Sequence, residues 1–485
     1  MTTMHLLTTS WLIFEYIVKI VAVGWVPENR RPASSQSWLL LIFFLPVLGL
    51  PLYLLIGSPY VKGRRHRIQA AANQLLALET KRFSDIPDGV EVTPGLASLL
   101  GMNRRLTSLP CVTGINDGFF GDTVEAYEAM AEAVDQAHSY VHVEFYIMSW
   151  DDTTDRFFTA LADAVSRGVD VRLLMDHLGS RGYPGWRKLR SRLTKAGIQW
   201  HLLMPINLLR GRWRRPDLRN HRKLLVVDGE VGFVGSHNVI DPHYGSARNR
   251  KIGRRWKDLS VRVRGDIIRQ LDAVFAVDWF TETGRRLHLH HHSTGAEVVP
   301  RGLNAMQLVP SGPGFPTEPN QRMFAQLIAT ATERVGITSP YFVPDESLLH
   351  AITTACYRGV RIDLFVSEKA DQFLVGHAQR SYYRGLLEAG VHIYLYPAPT
   401  ILHSKFLIVD DQIGAVGSSN MDYRSFSLDY EVMLLGFGGD LVEELRTCEE
   451  EYRQASVELT LEEWLKEPLY RRYLDNVAKL ASAVM

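Results

Sequence analysis

The chain has 485 residues, 46% of them apolar, and a net charge of +1. It is long enough for more than one domain and apolar enough to bury large cores. Its overall charge names no partner by itself, so any anion-binding role has to come from local clusters. Three widely separated cysteines, Cys111, Cys356 and Cys448, exclude a disulfide framework and fit a reducing compartment.

In chain order, two apolar stretches come first, Leu6–Val26 and Trp38–Ile56. Each approaches the roughly 20 residues a bilayer-spanning helix needs. The first is interrupted by Glu15 and Lys19, which are placed i,i+4 to pair on one helix face. The second carries no charge and reads as the stronger span, despite Pro46 and Pro51. Lys62, Arg64, Arg65 and Arg67 follow it and outweigh Arg30 and Arg31 in the intervening loop. Together they predict a two-helix hairpin with the remainder of the chain in the cytoplasm. Residues 59–109 read as a charged linker with an amphipathic helix over 66–83.

Two similar halves are expected next, at 110–280 and 315–485, joined by a linker over 281–314. TALADAVSRGVDVRLL (159–174) parallels HAITTACYRGVRIDLF (350–365), and AGIQWHLL (196–203) parallels AGVHIYLY (389–396). Alternating helices and strands predict an α/β fold with a mostly parallel sheet in each half. Packing about a pseudo-twofold axis would put a site at the seam. The linker holds His288 and His290–His292, and consecutive histidines make a poor ligand set, so it reads as solvated. The chain closes on LEEWLKEPLYRRYLDNVAKL (461–480), an amphipathic pair packed on the core or resting on a membrane.

Each half contains His-x-Lys, four residues, Asp, six residues, then Gly-Ser-x-Asn. The first copy is His221, Lys223, Asp228, Gly235, Ser236 and Asn238. The second is His403, Lys405, Asp410, Gly417, Ser418 and Asn420. Each histidine shares a strand face with its lysine, because alternate residues point the same way. Two lysines can hold a phosphodiester and offset transition-state charge. One neutral histidine can attack phosphorus, while the other, protonated, gives a proton to the leaving alkoxide. Ser236, Asn238, Ser418 and Asn420 read as further donors to phosphate oxygens. Asp228 and Asp410 belong to the motif and so to the candidate catalytic set. Their position at a strand end, before Asp228-Gly229 and Asp410-Asp411, points instead to tying down a loop. No metal or other cofactor is called for, and a lysine beside each histidine would repel a divalent cation.

Arg210, Arg212, Arg214, Arg215, Arg219 and Arg222 crowd before the first motif. Arg248, Arg250, Lys251, Arg254, Arg255 and Lys257 crowd after it. Such clusters suit anionic lipid headgroups or nucleic acid. Trp213 and Trp256 lie among them.

These motifs, read within DLRNHRKLLVVDGEVGFVGSHNVIDP (217–242) and LHSKFLIVDDQIGAVGSSNMDYRSFSLDYEV (402–432), resemble the phospholipase D superfamily. EFYI (144–147), VPSGPGFP (309–316) and SPYFVPDESLL (339–349) extend the resemblance toward its bacterial cardiolipin synthase branch, over nearly the whole chain. The resemblance implies a multi-pass protein of the bacterial cytoplasmic membrane. It would convert two phosphatidylglycerol molecules into cardiolipin and glycerol through a phosphatidyl-histidine, with His221 as nucleophile and His403 as acid. Nucleic acid is not an expected partner, because the apolar N-terminus favours lipid. A phospholipase D hydrolase, a transferase with another donor or acceptor, and a nuclease are the alternatives. The resemblance also implies a carboxylate that orients each histidine, downstream of it in the same half: Asp258 after His221 and Glu431 after His403.

Overall fold

The structure is a computed structural model and describes residues 2–28, 32–57, 64–80, 83–206, 215–287 and 303–481. Among these, two repeated α/β halves share one fifteen-stranded sheet. From its outer edge inward, the first half contributes Gln199–Leu203, Asp170–Asp176, Tyr140–Phe145, Leu224–Val227, Val231–Gly235, Ser260–Arg264 and Val112–Phe120. The second contributes His392–Tyr396, Arg361–Ser367, Arg334–Thr338, Phe406–Val409, Ile413–Gly417, Glu431–Phe437 and Leu303–Ser311, in the same spatial order. Val457–Leu459 adds an outer edge strand to the second half. The halves join where Val112–Phe120 and Leu303–Ser311 pair antiparallel. The stretch 281–314, read as a linker, therefore supplies a central strand.

The sheet is mixed, which corrects the expectation of a mostly parallel one. Within this sheet, parallel pairing is confined to the first three strands named for each half, where helices such as Asp155–Ser166 and Glu346–Tyr357 make crossovers, and the added edge strand Val457–Leu459 is antiparallel. Each motif strand instead turns straight back into an antiparallel hairpin. The turns carry positive φ at their first two residues: +53° and +70° at Asp228-Gly229, +51° and +53° at Asp410-Asp411. These residues open three-residue loops, 228–230 and 410–412, since Val227 pairs with Val231 and Val409 with Ile413. The repeated helix–strand units do form. Gly168 and Gly359, at φ +89° and +87°, end the helices before Asp170–Asp176 and Arg361–Ser367. Both motif strands, Leu224–Val227 and Phe406–Val409, are buried throughout, as their unbroken apolar sequences require.

The order of the two N-terminal stretches is reversed from expectation. Thr2–Trp25 is one continuous helix, and its segment His5–Trp25 is long and apolar enough to cross a membrane. Glu15 and Lys19 pair within it at 2.5 Å. The uncharged second stretch breaks into Pro32–Phe44, Pro46–Leu52 and a π-helical turn, Tyr53–Gly57. Proline lacks the N–H and clashes with the preceding turn, so Pro46 ends one helix and starts another. Among the described residues there is one candidate span, and a multi-pass topology is not supported. Arg30, Arg31 and Lys62 lie outside the described residues, as do Trp213 and His288 through His292. The helix expected over 66–83 forms as Arg64–Thr80 and packs against Ile267–Thr283.

Part of the first arginine cluster is internal. Arg219 is buried against Asp176 and Arg222 against Asp278, while Arg215 pairs with Asp217. Arg210, Arg212 and Arg214 lie outside the described residues. The second cluster does face solvent at Arg248, Arg250, Lys251 and Arg255. Trp256 is buried against Tyr244 and is a packing group.

Candidate active site

Two short backbone crossings bring the motifs together. Asn220, just before His221, bridges to Tyr430, just before Glu431. Leu402, just before His403, pairs with Lys257, just before Asp258. The amide of His221 donates to the Tyr430 carbonyl at 2.8 Å, and that of His403 to the Lys257 carbonyl at 2.7 Å. Each histidine therefore sits beside the carboxylate of the other half. His221 Nδ1 is 2.9 Å from Glu431 Oε1, and His403 Nδ1 is 2.6 Å from Asp258 Oδ1. This corrects the expected pairing within each half. In both, Nδ1 faces the carboxylate and Nε2 is the ring nitrogen left for substrate, as the aspartate of a catalytic triad arranges its histidine.

The serines serve these carboxylates. Ser236 Oγ donates to Asp258 at 2.7 Å, and Ser418 Oγ donates to Glu431 at 2.5 Å. Each also accepts an N–H from the residue after its carboxylate, Leu259 or Val432, at 2.9 Å. Their protons are thus spent on positioning, and the reading of them as phosphate donors is corrected. The glycine before each serine has a matching reason. A Cβ on Gly235 would lie 2.3 Å from the Leu259 carbonyl oxygen, and one on Gly417 would lie 2.2 Å from that of Val432.

Asn238 is committed to its own half, accepting from the Ile147 N–H at 3.2 Å and donating to the Tyr244 hydroxyl at 2.9 Å. Asn420 is nearly buried, and its side-chain oxygen has no hydrogen-bond partner. Asp228 and Asp410 lie beyond the far ends of the motif strands, roughly 15 Å from the histidine–lysine pairs at 3.3 Å per residue. Asp228 accepts the N–H groups of His138, Ser139 and Tyr140. Asp410 accepts those of Thr332, Glu333 and Arg334. Both fasten a loop to the strand end, so the geometry removes them from the catalytic set.

Lys223 and Lys405 are each 1% exposed. Both donate to the carbonyl of the histidine two residues before, Lys223 at 2.5 Å. Burial, with the opposing pull of Glu431 and the push of Lys405, lowers Lys223 to about 7. Burial lowers Lys405 to about 8, against the attraction of Asp258. A phosphodiester between them would supply the missing negative charge.

The two histidines are not equivalent. Burial and the charges of Lys223 and Lys405 hold His221 well below the usual imidazole range. Its partner Glu431 is itself pushed up to about 7 by burial, against the charge of Lys223. Burial also lowers His403, but Asp258 opposes this. Although burial disfavours the Asp258 carboxylate, the charge and hydrogen bond of His403 outweigh it and keep Asp258 well below the carboxylate range.

Two aromatic walls escaped the motif reading. Tyr146 meets His221 edge-on with ring centroids 4.9 Å apart, and Tyr341 meets His403 at 6.4 Å. Their equivalent places, just after Tyr140–Phe145 and Arg334–Thr338, were the available signal. Arg424 and Asp429 form a further pair at 3.1 Å beside His221, which feels the arginine charge. Among the described residues no group of histidine, cysteine and carboxylate side chains could hold a metal ion.

Two α/β halves on one sheet, with a histidine–lysine pair from each at their seam, define a phospholipase D-like protein. Residues 130–279 and 324–451 match the family described as "Cardiolipin synthase, PLD-like domain", and residues 16–58 match "Phospholipase_D-nuclease N-terminal". The chain is 31% identical over 463 residues to the cardiolipin synthase of Geobacillus kaustophilus (strain HTA426), covering 94% of this chain and 90% of that one. It is 32% identical over 509 residues to the major cardiolipin synthase ClsA of Bacillus subtilis (strain 168), covering the whole of both. The fold is also that of phosphatidylserine synthase from Haemophilus influenzae Rd KW20, with a TM-score of 0.60 at 16% identity over 81% of this chain and 100% of that one. The chain belongs to the phospholipase D-like cardiolipin synthase family.

Proposed function

We propose that this protein joins two phosphatidylglycerol molecules into cardiolipin and glycerol by way of a phosphatidyl-histidine. The crossed carboxylate–histidine pairs around two buried lysines carry this reading, and the full-length likeness to cardiolipin synthases supports the substrates. The identical strand order of the halves supports a pseudo-twofold relation between them.

In the first step the phosphate sits between Lys223 and Lys405, and neutral His221 attacks phosphorus through Nε2. The bond from phosphorus to the glycerol headgroup oxygen breaks, and protonated His403 gives its Nε2 proton to that oxygen. Glycerol leaves. In the second step neutral His403 takes the proton from a glycerol hydroxyl of a second phosphatidylglycerol. Its oxygen attacks phosphorus, the P–N bond breaks, and cardiolipin departs. The weaker support for an imidazolium at His221, set against ionised Asp258 at His403, supports this division of roles. One phosphodiester replaces another, so the site has to disfavour water as acceptor.

Helix Thr2–Trp25 would hold this chemistry at a bilayer. The cationic residues Lys62, Arg64, Arg65 and Arg67 ahead of the two halves favour a cytoplasmic site.

The test is product analysis by mass spectrometry, with purified protein, phosphatidylglycerol vesicles and EDTA. Cardiolipin and glycerol are expected, both lost in His221→Ala and in His403→Ala. Phosphatidic acid as sole product would make the protein a hydrolase. Retention of most synthesis in His221→Ala would overturn the mechanism.

A further inference from the structure

Helix Leu469–Ala481 is turned inside out. At 3.6 residues per turn, Leu469, Tyr470, Tyr473, Leu474, Val477 and Leu480 fall within an arc of about 140°, and all six are exposed, Leu469 by 75% and Tyr473 by 69%. A surface helix ordinarily packs that stripe on the core and shows its charges to water. Here the buried residues are Asp475 and Ala478, on the other side. Asp475 accepts from His377 at 2.5 Å and pairs with Arg380 at 3.4 Å, both on helix Phe373–Ala389, while Lys479 lies over the Tyr382 ring at 4.5 Å. Charge thus fastens the helix inward and leaves its apolar face outward.

Two further observations say what covers that face. Ser37 Oγ, in helix Pro32–Phe44 of the apolar N-terminal region, donates to the Leu480 carbonyl at 3.3 Å. The patch is therefore continuous with the segment that carries the candidate membrane span. Arg471, Arg472 and Lys479 flank the apolar arc, as cationic side chains do on helices that lie in an anionic lipid interface. Exposed Phe373 (72%) and Leu374 (48%) also sit at the start of the helix on which the C-terminal helix packs.

We propose that the C-terminal helix, with Phe373 and Leu374, docks in the interfacial layer of the bilayer that holds the N-terminal helix. The patch also adjoins the site. Asp371, two residues before Phe373, accepts from the Tyr341 hydroxyl at 3.0 and 2.9 Å, and the Tyr341 ring abuts His403. A docked face would set the His403 side of the site against the headgroup layer, so that lipid enters without leaving the leaflet. This function rests on the lipid-substrate reading, whereas the docking itself does not.

The test uses the full chain reconstituted into vesicles of phosphatidylglycerol and phosphatidylcholine. With Cys356 and Cys448 changed to serine, an environment-sensitive fluorophore is placed at Tyr473→Cys or, as control, at Val124→Cys, an exposed position on the first half. Nitroxide-labelled phospholipid should quench the first several-fold more than the second. Equal quenching overturns the proposal. So does shielding that grows with protein concentration and not with lipid, which would make the occupant a second copy. The triple variant Tyr470→Glu, Tyr473→Glu, Val477→Glu should turn over phosphatidylglycerol within about twofold of the parent in detergent micelles and roughly tenfold more slowly in vesicles. Equal loss in both would mean a structural helix and would sink the proposal. If the parent makes no product in either medium while quenching persists, the reaction reading fails and the docking face stands.

Discussion

His221 and Glu431 are 210 residues apart in sequence and 2.9 Å apart in the site. With His403 and Asp258 they form two pairs, each spanning both halves. Neither half alone holds a histidine paired with its carboxylate, so the candidate site is the seam.

The crossed pairs predict which variants share a defect. On a phosphatidyl ester whose leaving group is p-nitrophenolate, no proton need be delivered in the first step. His403→Ala and Asp258→Asn should keep a burst of p-nitrophenol on this ester, although on phosphatidylglycerol each should lose about 100-fold or more of its rate. His221→Ala and Glu431→Gln should lose the burst itself. Grouping of Asp258→Asn with His221→Ala would mean that pairing within a half governs the chemistry.

Asp228 and Asp410 should behave as structural residues. Asp228→Ala leaves three backbone N–H groups without their acceptor and should cost about 2 kcal/mol of stability, read as a lower melting temperature in detergent. At a temperature where the protein stays folded, its kcat should lie within a few-fold of the parent. A large kcat loss with unchanged melting would return the residue to the catalytic set.

The lysines set the alkaline limit. With Lys223 near 7 and Lys405 near 8 in the free protein, raising the pH through that range removes the charges that hold the phosphate. Because kcat/KM reports the free enzyme, it should begin to fall near pH 7 and fall more steeply above about 8. The loss should appear as a rising KM. A kcat/KM that stays flat to pH 9 would contradict this arrangement.

Gly417→Ala should damage the site through packing alone. Its Cβ would meet the Val432 carbonyl at 2.2 Å and push the strand that starts at Glu431. Overpacking of this kind costs about 1–3 kcal/mol, and the shift of Glu431 should lower kcat. Gly385→Ala, on an exposed helix face with no atom within 4 Å, is the control and should stabilise the protein by roughly 0.5–1 kcal/mol.

Sequence by itself determined the motif residues, the repeat, the turn residues after the motif strands and the presence of an apolar N-terminus, because each is a local pattern of spacing and side-chain type. It also made the loop-tying role of Asp228 and Asp410 legible, since both stand between a buried strand and a tight turn. The tertiary structure decided what depends on contacts distant in the chain. Asp258 and Glu431 could be found from sequence, but their exchange between halves follows from two backbone crossings, at Asn220–Tyr430 and Leu402–Lys257, that no local pattern encodes. The serine hydroxyls looked like phosphate donors until the carboxylates that accept their protons came within 2.7 Å. The arginines before the first motif looked like a surface patch because sequence shows charge and not burial, and Arg219 and Arg222 proved to be internal ion pairs. The turn residues at 228–229 and 410–411 were visible, yet the mixed sheet was not, because strand direction is set by which neighbour each hairpin finds. The C-terminal helix shows the same limit. Its apolar stripe is plain in the sequence, but only the burial of Asp475 against His377 and Arg380 decides that the stripe faces outward.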